Sequence, residues 1–188
     1  MSETKPQLRE LMQKKRTALP AEARLRVAEE AARQALPLFD SKSGAVALYW
    51  PMRHEISPLI LAEHLHQKKY ELCLPIAPEK NAPLQFRHWA PEDQLHKGRY
   101  GINEPLQKSP LVMPAVLLVP LLAFDKTGAR LGMGAGYYDR TLKSLRLTSS
   151  IKAYGFAYSF QEVDSLPQEL HDERLDAVIT EKAIVMAR

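Results

Sequence analysis

The chain has 188 residues, which suits one compact domain of ordinary size. Hydrophobic residues make up 45% of it and charged residues 26%, a mixture typical of soluble globular proteins. The formal net charge is only +4, and the first sixteen residues supply +3 of it, so the remainder is nearly neutral. This distribution argues against a general nucleic-acid-binding protein, which needs basic residues over a broad face.

Membrane and secreted proteins are also disfavoured. The longest apolar run, from Val112 to Phe124, is interrupted by Pro114 and Pro120 and is shorter than the roughly 20 residues that span a bilayer. The N-terminal residues MSETKPQLRE show no secretory signal. Cys73 is the only cysteine, so an internal disulfide and a cysteine metal cluster are excluded. We expect a cytoplasmic protein in which Cys73 is a buried apolar residue.

Helices and strands are predicted in alternation along the chain. The helical patterns cover residues 3–18, 20–39, 57–67 and 137–147, the third with Ser57 as its N-cap. Short apolar runs predict strands at residues 45–50, 70–75, 84–89, 115–120, 152–159 and 175–180. The stretch from Pro75 to Pro120 holds eight of the fourteen prolines, so it should be largely irregular.

This order of elements indicates the fold class. Strands that alternate with helices favour a three-layer α/β/α domain with a mainly parallel central sheet. The segment 115–120 is apolar at nearly every position, as expected for a strand covered on both faces. No linker or repeat divides the chain, so residues 1–188 are predicted to form a single domain. The sequence does not determine the oligomeric state, although a monomer is slightly favoured.

Glycine placement is the most informative local feature. Four of the eight glycines lie within nine residues, in the segment VPLLAFDKTGARLGMGAGYYDR: Gly128, Gly132, Gly134 and Gly136. A buried strand therefore leads into a glycine-rich loop and then into a helix that begins near Tyr137. Such a loop can turn its N–H groups toward one point, and a helix N-terminus adds positive partial charge. The pattern favours a phosphate cradle, with Arg130 adding a full charge, over a flexible surface loop.

This cradle differs from the two common ones. The segment has no G-x-x-x-x-G-K-[ST] motif, and its glycine spacing is G-x-G-x-G rather than G-x-G-x-x-G. The residues from Asp125 to Gly128 also insert a turn between strand and glycines. The predicted architecture is thus Rossmann-like without a dinucleotide or P-loop fingerprint. Asp139, next to Tyr138, is a residue type that binds Mg²⁺ beside phosphates.

Basic residues near the N-terminus form a second candidate. Lys5 and Arg9 are four residues apart, so they project from one face of a helix, and Arg16 roughly continues that stripe. They could form a solvated basic face, which the spacing alone favours, or they could reach the phosphates of a nucleotide.

Trp50 and Glu55 form a third candidate. They follow a predicted strand, in the position where ligands meet open α/β sheets. Trp50 could stack on a flat heterocycle whose N–H groups Glu55 accepts, or the pair could be a core-edge tryptophan and a surface glutamate. The histidines show no metal-ligand spacing, and no catalytic triad is apparent.

The glycine-rich segment resembles the signature of the 5-formyltetrahydrofolate cyclo-ligase family, also called methenyltetrahydrofolate synthetases. KPQLRE near the start, ALYWPMRHEI, YGINEP and HDERLDAVIT occur in the order and spacing of that family, so the resemblance covers nearly the whole chain. It implies ATP-dependent closure of 5-formyltetrahydrofolate to 5,10-methenyltetrahydrofolate with release of ADP and phosphate. It also implies Mg²⁺ as cofactor, with a reduced folate and ATP as the small-molecule partners.

The same resemblance implies roles for individual residues. ATP-binding residues would be Lys5, Arg9, Arg130, Leu131, Gly132, Met133, Gly134, Ala135, Gly136, Tyr137 and Tyr138. Folate-binding residues would be Trp50, Glu55, Met133, Gly134, Ala135, Gly136 and Tyr137. Asp139 and Asp176 would bind Mg²⁺. Two positions depart from the family pattern: Ala135 cannot form the phosphate contact of a lysine found in relatives, and Met133 replaces a tyrosine or arginine.

Two other functions compete with this hypothesis. An α/β domain of this type could bind or isomerise sugar phosphates without ATP, because fold does not fix function. A nucleic-acid accessory protein could use the basic N-terminus, although the nearly neutral remainder of the chain argues against it.

Overall fold

The computed structural model describes residues 4–39, 44–78 and 80–188. Its main sheet has seven strands: β1 (Ala45–Ala47), β2 (Leu72–Ile76), β3 (Gln85–His88), β6 (Pro114–Pro120), β9 (Lys152–Phe156), β10 (Ala177–Ile179) and β11 (Ile184–Met186). Their spatial order is β11–β10–β9–β6–β1–β2–β3. The five central strands are parallel, and only the edge strands β3 and β11 are antiparallel to their neighbours. The predicted mainly parallel sheet is confirmed.

Two small hairpins complete the strands. One consists of β4 (Leu95–Lys97) and β5 (Asn103–Pro105), and the other of β7 (Ala123–Phe124) and β8 (Arg130–Leu131). The turn of the second hairpin is the inserted turn seen in the sequence, closed by a hydrogen bond from the Gly128 N–H to the Asp125 carbonyl at 3.1 Å. The β7–β8 hairpin therefore separates the end of β6 from the glycine-rich loop.

Helices cover both faces of the sheet. The described residues form the α-helices α1 (Lys5–Ala18), α2 (Ala21–Ala35), α3 (Leu59–Gln67) and α4 (Tyr137–Thr148). On one face, α2 and α3 pack on alternate strand residues such as Leu118 and Phe156. On the other face, α4 packs through Leu142 on the alternating set, which includes Val119. Because a central sheet is covered on both sides, the three-layer α/β/α prediction is confirmed.

Helix α1 lies apart from these two layers. Its apolar residues Leu8 and Met12 are buried against the β7–β8 hairpin, where Leu122 and Leu131 form a third, smaller core. This packing explains why the helix buries a narrow apolar stripe, while Lys5 and Arg9 on its basic face are partly exposed and Arg16 is buried and donates to the Leu121 carbonyl. It also places that face next to the residues that follow β8.

The chain switches direction within the sheet between β1 and β6. From β1 the order runs outward through β2 and β3, and from β6 it runs the other way through β9 and β10. Loops leaving two adjacent strands in opposite directions open a crevice at their carboxyl ends, where open α/β sheets bind ligands. The segments that follow β1 and β6 therefore position the site.

The element boundaries differ from the prediction in a few places. The second helix ends at Ala35 and continues as a 3-10 helix over Leu36–Phe39, because Pro37 has no N–H and crowds the preceding turn. Helix α3 begins at Leu59, two residues after Ser57, whose Oγ accepts only a long 3.4 Å hydrogen bond from the Leu59 N–H. Among the described residues, no helix is both long and apolar enough to cross a membrane.

Candidate functional site

A cleft of about 650 Å³ opens at the carboxyl edge of the sheet. Its walls come from α1, from the segments after β1 and β6, from the β4–β5 hairpin and from the loop before β10. The predicted nucleotide- and folate-binding residues all line it: Lys5, Arg9, Trp50, Glu55 and residues 130–138. Asp139 lines it as well. The fold thus brings together residues that lie more than a hundred positions apart in sequence.

The glycine loop, Gly132–Gly136, runs from β8 to α4 along one wall. Gly134 and Gly136 have φ values of +100° and +68°, a region that side chains rarely adopt. Ala135 is not among the described non-glycine residues with positive φ, so its Cβ causes no backbone strain. The family departure at Ala135 therefore leaves the shape of the loop intact.

The N–H groups of this loop are free to bind a ligand. Among the described residues, no protein acceptor receives a hydrogen bond from the amides of Met133 through Gly136. Gly136 is also the N-cap of α4, with no side chain to satisfy the first turn of that helix. Unpaired amides at a helix N-terminus attract anions. These free amides are compatible with the predicted phosphate cradle.

Arg9 holds the start of the glycine loop. Its Nε donates a 2.9 Å hydrogen bond to the Gly132 carbonyl. A Cβ at Gly134 would lie 3.5 Å from the Arg9 guanidinium, so the loop passes close to this side chain. Arg9 therefore brings a positive charge from α1 to the cradle.

Lys5 lies one turn earlier on α1 and is paired with acids. Its Nζ is 2.9 Å from Glu169 Oε1 and 3.0 Å from Asp172 Oδ2. Partial burial opposes the charge of Lys5, but these two hydrogen bonds outweigh it and raise its pKa. The Lys5 charge stays in the cleft, and it ties α1 to the loop before β10.

Arg130 and Asp139, which flank the glycine loop, form an ion pair at the wall of the cleft. Arg130 Nη2 lies 2.6 Å from Asp139 Oδ1, its Nη1 donates to the Glu173 carbonyl, and its side chain is 5% exposed. The Glu173 N–H also donates to Asp139 Oδ1, at 3.1 Å. Burial lowers the pKa of Arg130, although the Asp139 carboxylate opposes that effect. Asp139 Oδ2 accepts no hydrogen bond from the described residues, so it can serve as a metal ligand.

An acidic cluster near Lys5 was not predicted from the sequence. One ligand atom from each of Glu169, His171 and Asp172 lies within 4.8 Å of the other two, and all three residues line the cleft. His171 was dismissed because no other histidine has a ligand-like spacing to it. The local pattern Glu-x-His-Asp was the only available signal, and its position opposite Lys5 depends on the fold.

The far end of the cleft is more apolar and holds Trp50 and Glu55. Trp50 packs edge-to-face on Trp89, with ring centroids 6.3 Å apart. Glu55 Oε2 accepts a 2.9 Å hydrogen bond from the Met52 N–H, which orients the carboxylate. Burial raises the pKa of Glu55, while that hydrogen bond and the charge of Arg16 act in the opposite direction. An aromatic face and an oriented carboxylate suit a flat heterocycle with N–H donors.

Two further aromatic residues, Tyr49 and Tyr100, were not predicted as site residues and complete this end. Tyr49 is buried and donates to the Ile56 carbonyl at 2.6 Å. The hydroxyl groups of Tyr100 and Tyr137 lie 2.6 Å apart, so the β4–β5 hairpin meets the start of α4 across the cleft. Tyr100 belongs to the proline-rich stretch, in which no periodic pattern predicted a wall of the site.

Asp176 lies outside the cleft. It precedes β10, at the edge of the sheet opposite to the one where the cleft opens. Its Oδ2 accepts a 2.8 Å hydrogen bond from the Ala153 N–H, and Lys152 and Arg146 approach its oxygens at 3.4 and 3.6 Å. The structure therefore does not bring Asp176 together with the other candidate residues, whereas Asp172, four residues earlier, lines the cleft.

Comparisons with known proteins agree with this geometry. The model of the 5-formyltetrahydrofolate cyclo-ligase family matches residues 1–181. A 5-formyltetrahydrofolate cyclo-ligase from Haemophilus influenzae is 33% identical over 177 residues, covering 91% of this chain and 94% of the relative. One from Mycolicibacterium smegmatis is also 33% identical, over 195 residues that cover 98% and 97% of the two chains.

Solved structures show the same likeness. The NMR structure of an Aquifex aeolicus 5,10-methenyltetrahydrofolate synthetase superimposes with a TM-score of 0.82 at 33% identity, covering 98% of this chain and 93% of the other. A Mycoplasma pneumoniae 5,10-methenyltetrahydrofolate synthetase gives a TM-score of 0.76 at 25% identity, with 94% and 98% coverage. Because sequence and fold agree over nearly the whole chain, this protein is an enzyme that belongs to the 5-formyltetrahydrofolate cyclo-ligase family.

Proposed function

We propose that this enzyme converts 5-formyltetrahydrofolate to 5,10-methenyltetrahydrofolate, using ATP and Mg²⁺ and releasing ADP and phosphate. The observation that carries the proposal is the shared cleft. It places an anion cradle, the glycine loop, in the same cavity as an aromatic residue and an oriented carboxylate, Trp50 and Glu55. One end suits phosphates and the other suits a heterocycle, so both substrates can meet between them.

The phosphate end would hold ATP. The loop amides from Met133 to Gly136 face no protein acceptor within the described chain, and Lys5, Arg9 and Arg130 add positive charge. Phosphoryl transfer is catalysed mainly by positioning and by neutralising charge, rather than by a protein nucleophile. This accounts for the lack of a legible catalytic triad in the sequence.

The donor set near the cradle fits Mg²⁺. Mg²⁺ prefers oxygen ligands and binds proteins through one or two carboxylates beside substrate phosphates. Asp139, whose Oδ2 has no protein donor in the described residues, and Asp172 and Glu169 offer such oxygens at the cleft. Asp176 is left out of the proposed site because its carboxylate is held at the opposite edge of the sheet. When bound, the metal would neutralise charge on the phosphates.

The folate would occupy the other end. Its ring would stack against Trp50, and the Glu55 carboxylate would accept hydrogen bonds from the ring N–H groups. The formyl oxygen would then attack the γ-phosphorus of ATP, and ADP would leave. N10 would bond to the activated formyl carbon and lose its proton, and phosphate would depart as the C–O bond breaks. The chain's own residues position the two substrates and stabilise the negative charge.

The cellular setting belongs to the same proposal. The substrates are small molecules, no nucleic acid or membrane takes part, and the enzyme would act as a monomer. Cys73, the only cysteine of the sequence, is fully buried and needs no oxidising environment, in keeping with a cytoplasmic location.

The test follows the near-ultraviolet absorbance of the methenyl product. Purified protein is mixed with 5-formyltetrahydrofolate and Mg-ATP, with a parallel reaction that lacks ATP. We expect product only with ATP, and a loss of about a hundredfold or more in kcat/KM in Asp139→Ala, because the variant removes a proposed Mg²⁺ ligand and the ion-pair partner of Arg130. Asp164→Ala, which removes an exposed aspartate away from the cleft, serves as the matched control.

Two results would contradict the proposal. If the protein binds ATP but forms no product, the cradle is real and the folate substrate is wrong. If it neither forms product nor binds ATP, a sugar-phosphate ligand becomes the better hypothesis. Full activity of Asp139→Ala would remove Asp139 from the metal site.

A further inference from the structure

Arg140, in the first turn of α4, contacts the outer side of the glycine loop. Its Nη2 donates a 2.8 Å hydrogen bond to the Ala135 carbonyl. A Cβ at Gly136 would lie only 2.6 Å from Arg140 Nη1, so the guanidinium fits against the loop because residue 136 is glycine. Arg140 does not line the cleft itself. It therefore touches the backbone that would bind phosphate, from the side opposite to the ligand.

The same guanidinium also covers a cleft-lining ring. Arg140 Cζ lies 5.2 Å from the centroid of the Tyr137 ring, within the range of a cation–π contact. The Tyr137 hydroxyl in turn meets the Tyr100 hydroxyl on the β4–β5 hairpin. One side chain thus supports both the loop and the aromatic wall next to it.

The charge of Arg140 is not neutralised by a nearby acid. Lys5 and Arg130 form ion pairs with carboxylates, whereas no described carboxylate lies within 4.0 Å of Arg140. Its Nε is buried and has no hydrogen-bond partner in the described part of the chain. Buried polar atoms are nearly always paired, so an unpaired Nε indicates that the contacts of the rest of the guanidinium, with the Ala135 carbonyl and the Tyr137 ring, hold the side chain in this position.

Arg9 and Arg140 hold the two ends of the same loop. Arg9 binds the Gly132 carbonyl at its start, and Arg140 binds the Ala135 carbonyl near its end. Because guanidinium groups bind both carbonyls, the peptide units between them are held in place. Their N–H groups have no protein acceptor among the described residues and can bind a ligand. The helix N-cap, Gly136, contributes no side-chain cap, so the first N–H groups of α4 stay free for an anion while Arg140 holds a carbonyl of the adjoining loop.

We propose that Arg140 is a positioning residue that fixes the glycine loop in its phosphate-binding conformation and the Tyr137 ring in the cleft wall. The inference rests on the proposed function, in which this loop binds the phosphates of ATP. It adds a residue that acts through the loop rather than by touching the nucleotide. Its loss weakens nucleotide binding more than folate binding, because the loop that presents the amides loses its support, whereas the folate end loses only the support of Tyr137 and keeps Trp50 and Glu55 on other elements.

The experiment compares Arg140→Ala and Arg140→Lys with the wild-type enzyme. The dissociation constant of a non-hydrolysable ATP analogue with Mg²⁺ is measured by calorimetry, together with KM for ATP, KM for folate, kcat and Tm. We expect Arg140→Ala to raise the nucleotide constant and KM for ATP about tenfold, the usual effect of losing one hydrogen bond from a charged group. KM for folate should change much less. Arg140→Lys should recover part of the loss, because a lysine can reach the carbonyl but cannot lie flat over a ring.

Lys143→Ala is the matched control. It removes one positive charge from an exposed position of the same helix, away from the loop. Unchanged nucleotide binding in Arg140→Ala, or an increase that Lys143→Ala reproduces, would overturn the positioning role. If Arg140→Ala does not fold, Arg140→Lys decides: an altered KM for ATP at wild-type Tm supports the proposal, and wild-type values for both substrates contradict it.

The same data separate this inference from the proposed function. A wild-type protein that binds the nucleotide but makes no methenyl product contradicts the proposed reaction, while the binding constants still test Arg140. An active wild type with an equally active Arg140→Ala contradicts the inference alone.

Discussion

The two ends of the cleft are built in different ways. At the proposed phosphate end, the groups available to a ligand are backbone amides of the glycine loop, and the surrounding charges are held by partners such as Asp139 for Arg130. At the proposed folate end, Trp50 and Glu55 lie on a segment that continues directly from a buried strand of the main sheet. The first end depends on contacts between distant segments, and the second depends on the core.

Because the two ends are built differently, we expect them to respond differently to amino-acid substitution. A substitution at the phosphate end breaks a network, because each charged side chain also holds a partner in place. A substitution at the folate end removes one contact from a rigid frame. We therefore expect large losses with effects on both stability and activity at the first end, and smaller, substrate-specific losses at the second.

The largest effect is expected for Arg130→Ala. The variant removes a buried positive charge and leaves Asp139 without its 2.6 Å partner, so kcat/KM should fall about a hundredfold or more. Steady-state kinetics and Tm check this prediction, with the exposed Arg174→Ala as the arginine control. Turnover close to that of the wild type in a folded Arg130→Ala would show that this end does not work as a network.

A smaller and selective effect is expected for Glu55→Gln. The amide keeps the size of the side chain, but one acceptor oxygen becomes an NH2 donor and the negative charge that strengthens hydrogen bonds from N–H groups is lost. KM for folate should rise about tenfold, the effect of one charge-assisted hydrogen bond, with little change in KM for ATP. The exposed Glu63→Gln on α3 is the control. A rise in KM for ATP instead would show that Glu55 acts on the nucleotide and not on the folate.

The same variant should also be more stable at neutral pH. Burial raises the pKa of Glu55 above its usual 4.5, so the folded protein binds this proton more tightly than the unfolded chain does. The free energy of unfolding contributed by Glu55 therefore decreases as pH rises from 4.5 through the raised value. Denaturant unfolding of the wild type and of Glu55→Gln between pH 4 and 8 checks this. The free energy of unfolding should contain the decrease due to Glu55 in the wild type and lack it in the variant. A parallel pH dependence in both proteins would contradict it.

The smallest effect is expected for Asp176→Asn, at the edge of the sheet away from both ends. The amide keeps the hydrogen bond from the Ala153 N–H and loses only the pairing with Lys152 and Arg146. Stability should change by less than about 1 kcal/mol, as is usual for partly exposed ion pairs. Activity measured against Mg²⁺ concentration should match the wild type. A higher Mg²⁺ requirement would return Asp176 to the metal site.

The elements that could be predicted are those whose residues form a recognisable pattern within a short stretch of sequence. The apolar strand at 115–120 and the clustered glycines are local signals, and the structure places both where ligands meet the sheet. Strand β11 and the two hairpins were missed because each of their strands has only two or three residues and pairs with a single neighbouring strand. Their existence depends on pairing with neighbours that the sequence does not identify.

The acidic side of the cleft shows the same limit in the site. Lys5 meets Glu169 and Asp172 across more than 160 residues, and no spacing rule connects such positions. Asp176 was chosen by resemblance alone, and its place on the sheet depends on which end of β10 it adjoins. Asp172 precedes Asp176 by only four residues, yet Asp172 lines the cleft and Asp176 lies at the opposite edge of the sheet.

Cys73 offers a practical consequence of the way the core is packed. The thiol lies in β2 with no exposed surface, and burial raises its pKa far above the neutral range, so the reactive thiolate is scarce. Since the sequence has no other cysteine, a single engineered cysteine would be the one site open to a fluorescent label. Leu170, fully exposed between two cleft-lining acids, is a suitable position. A dye there would report nucleotide arrival without any change to the native thiol.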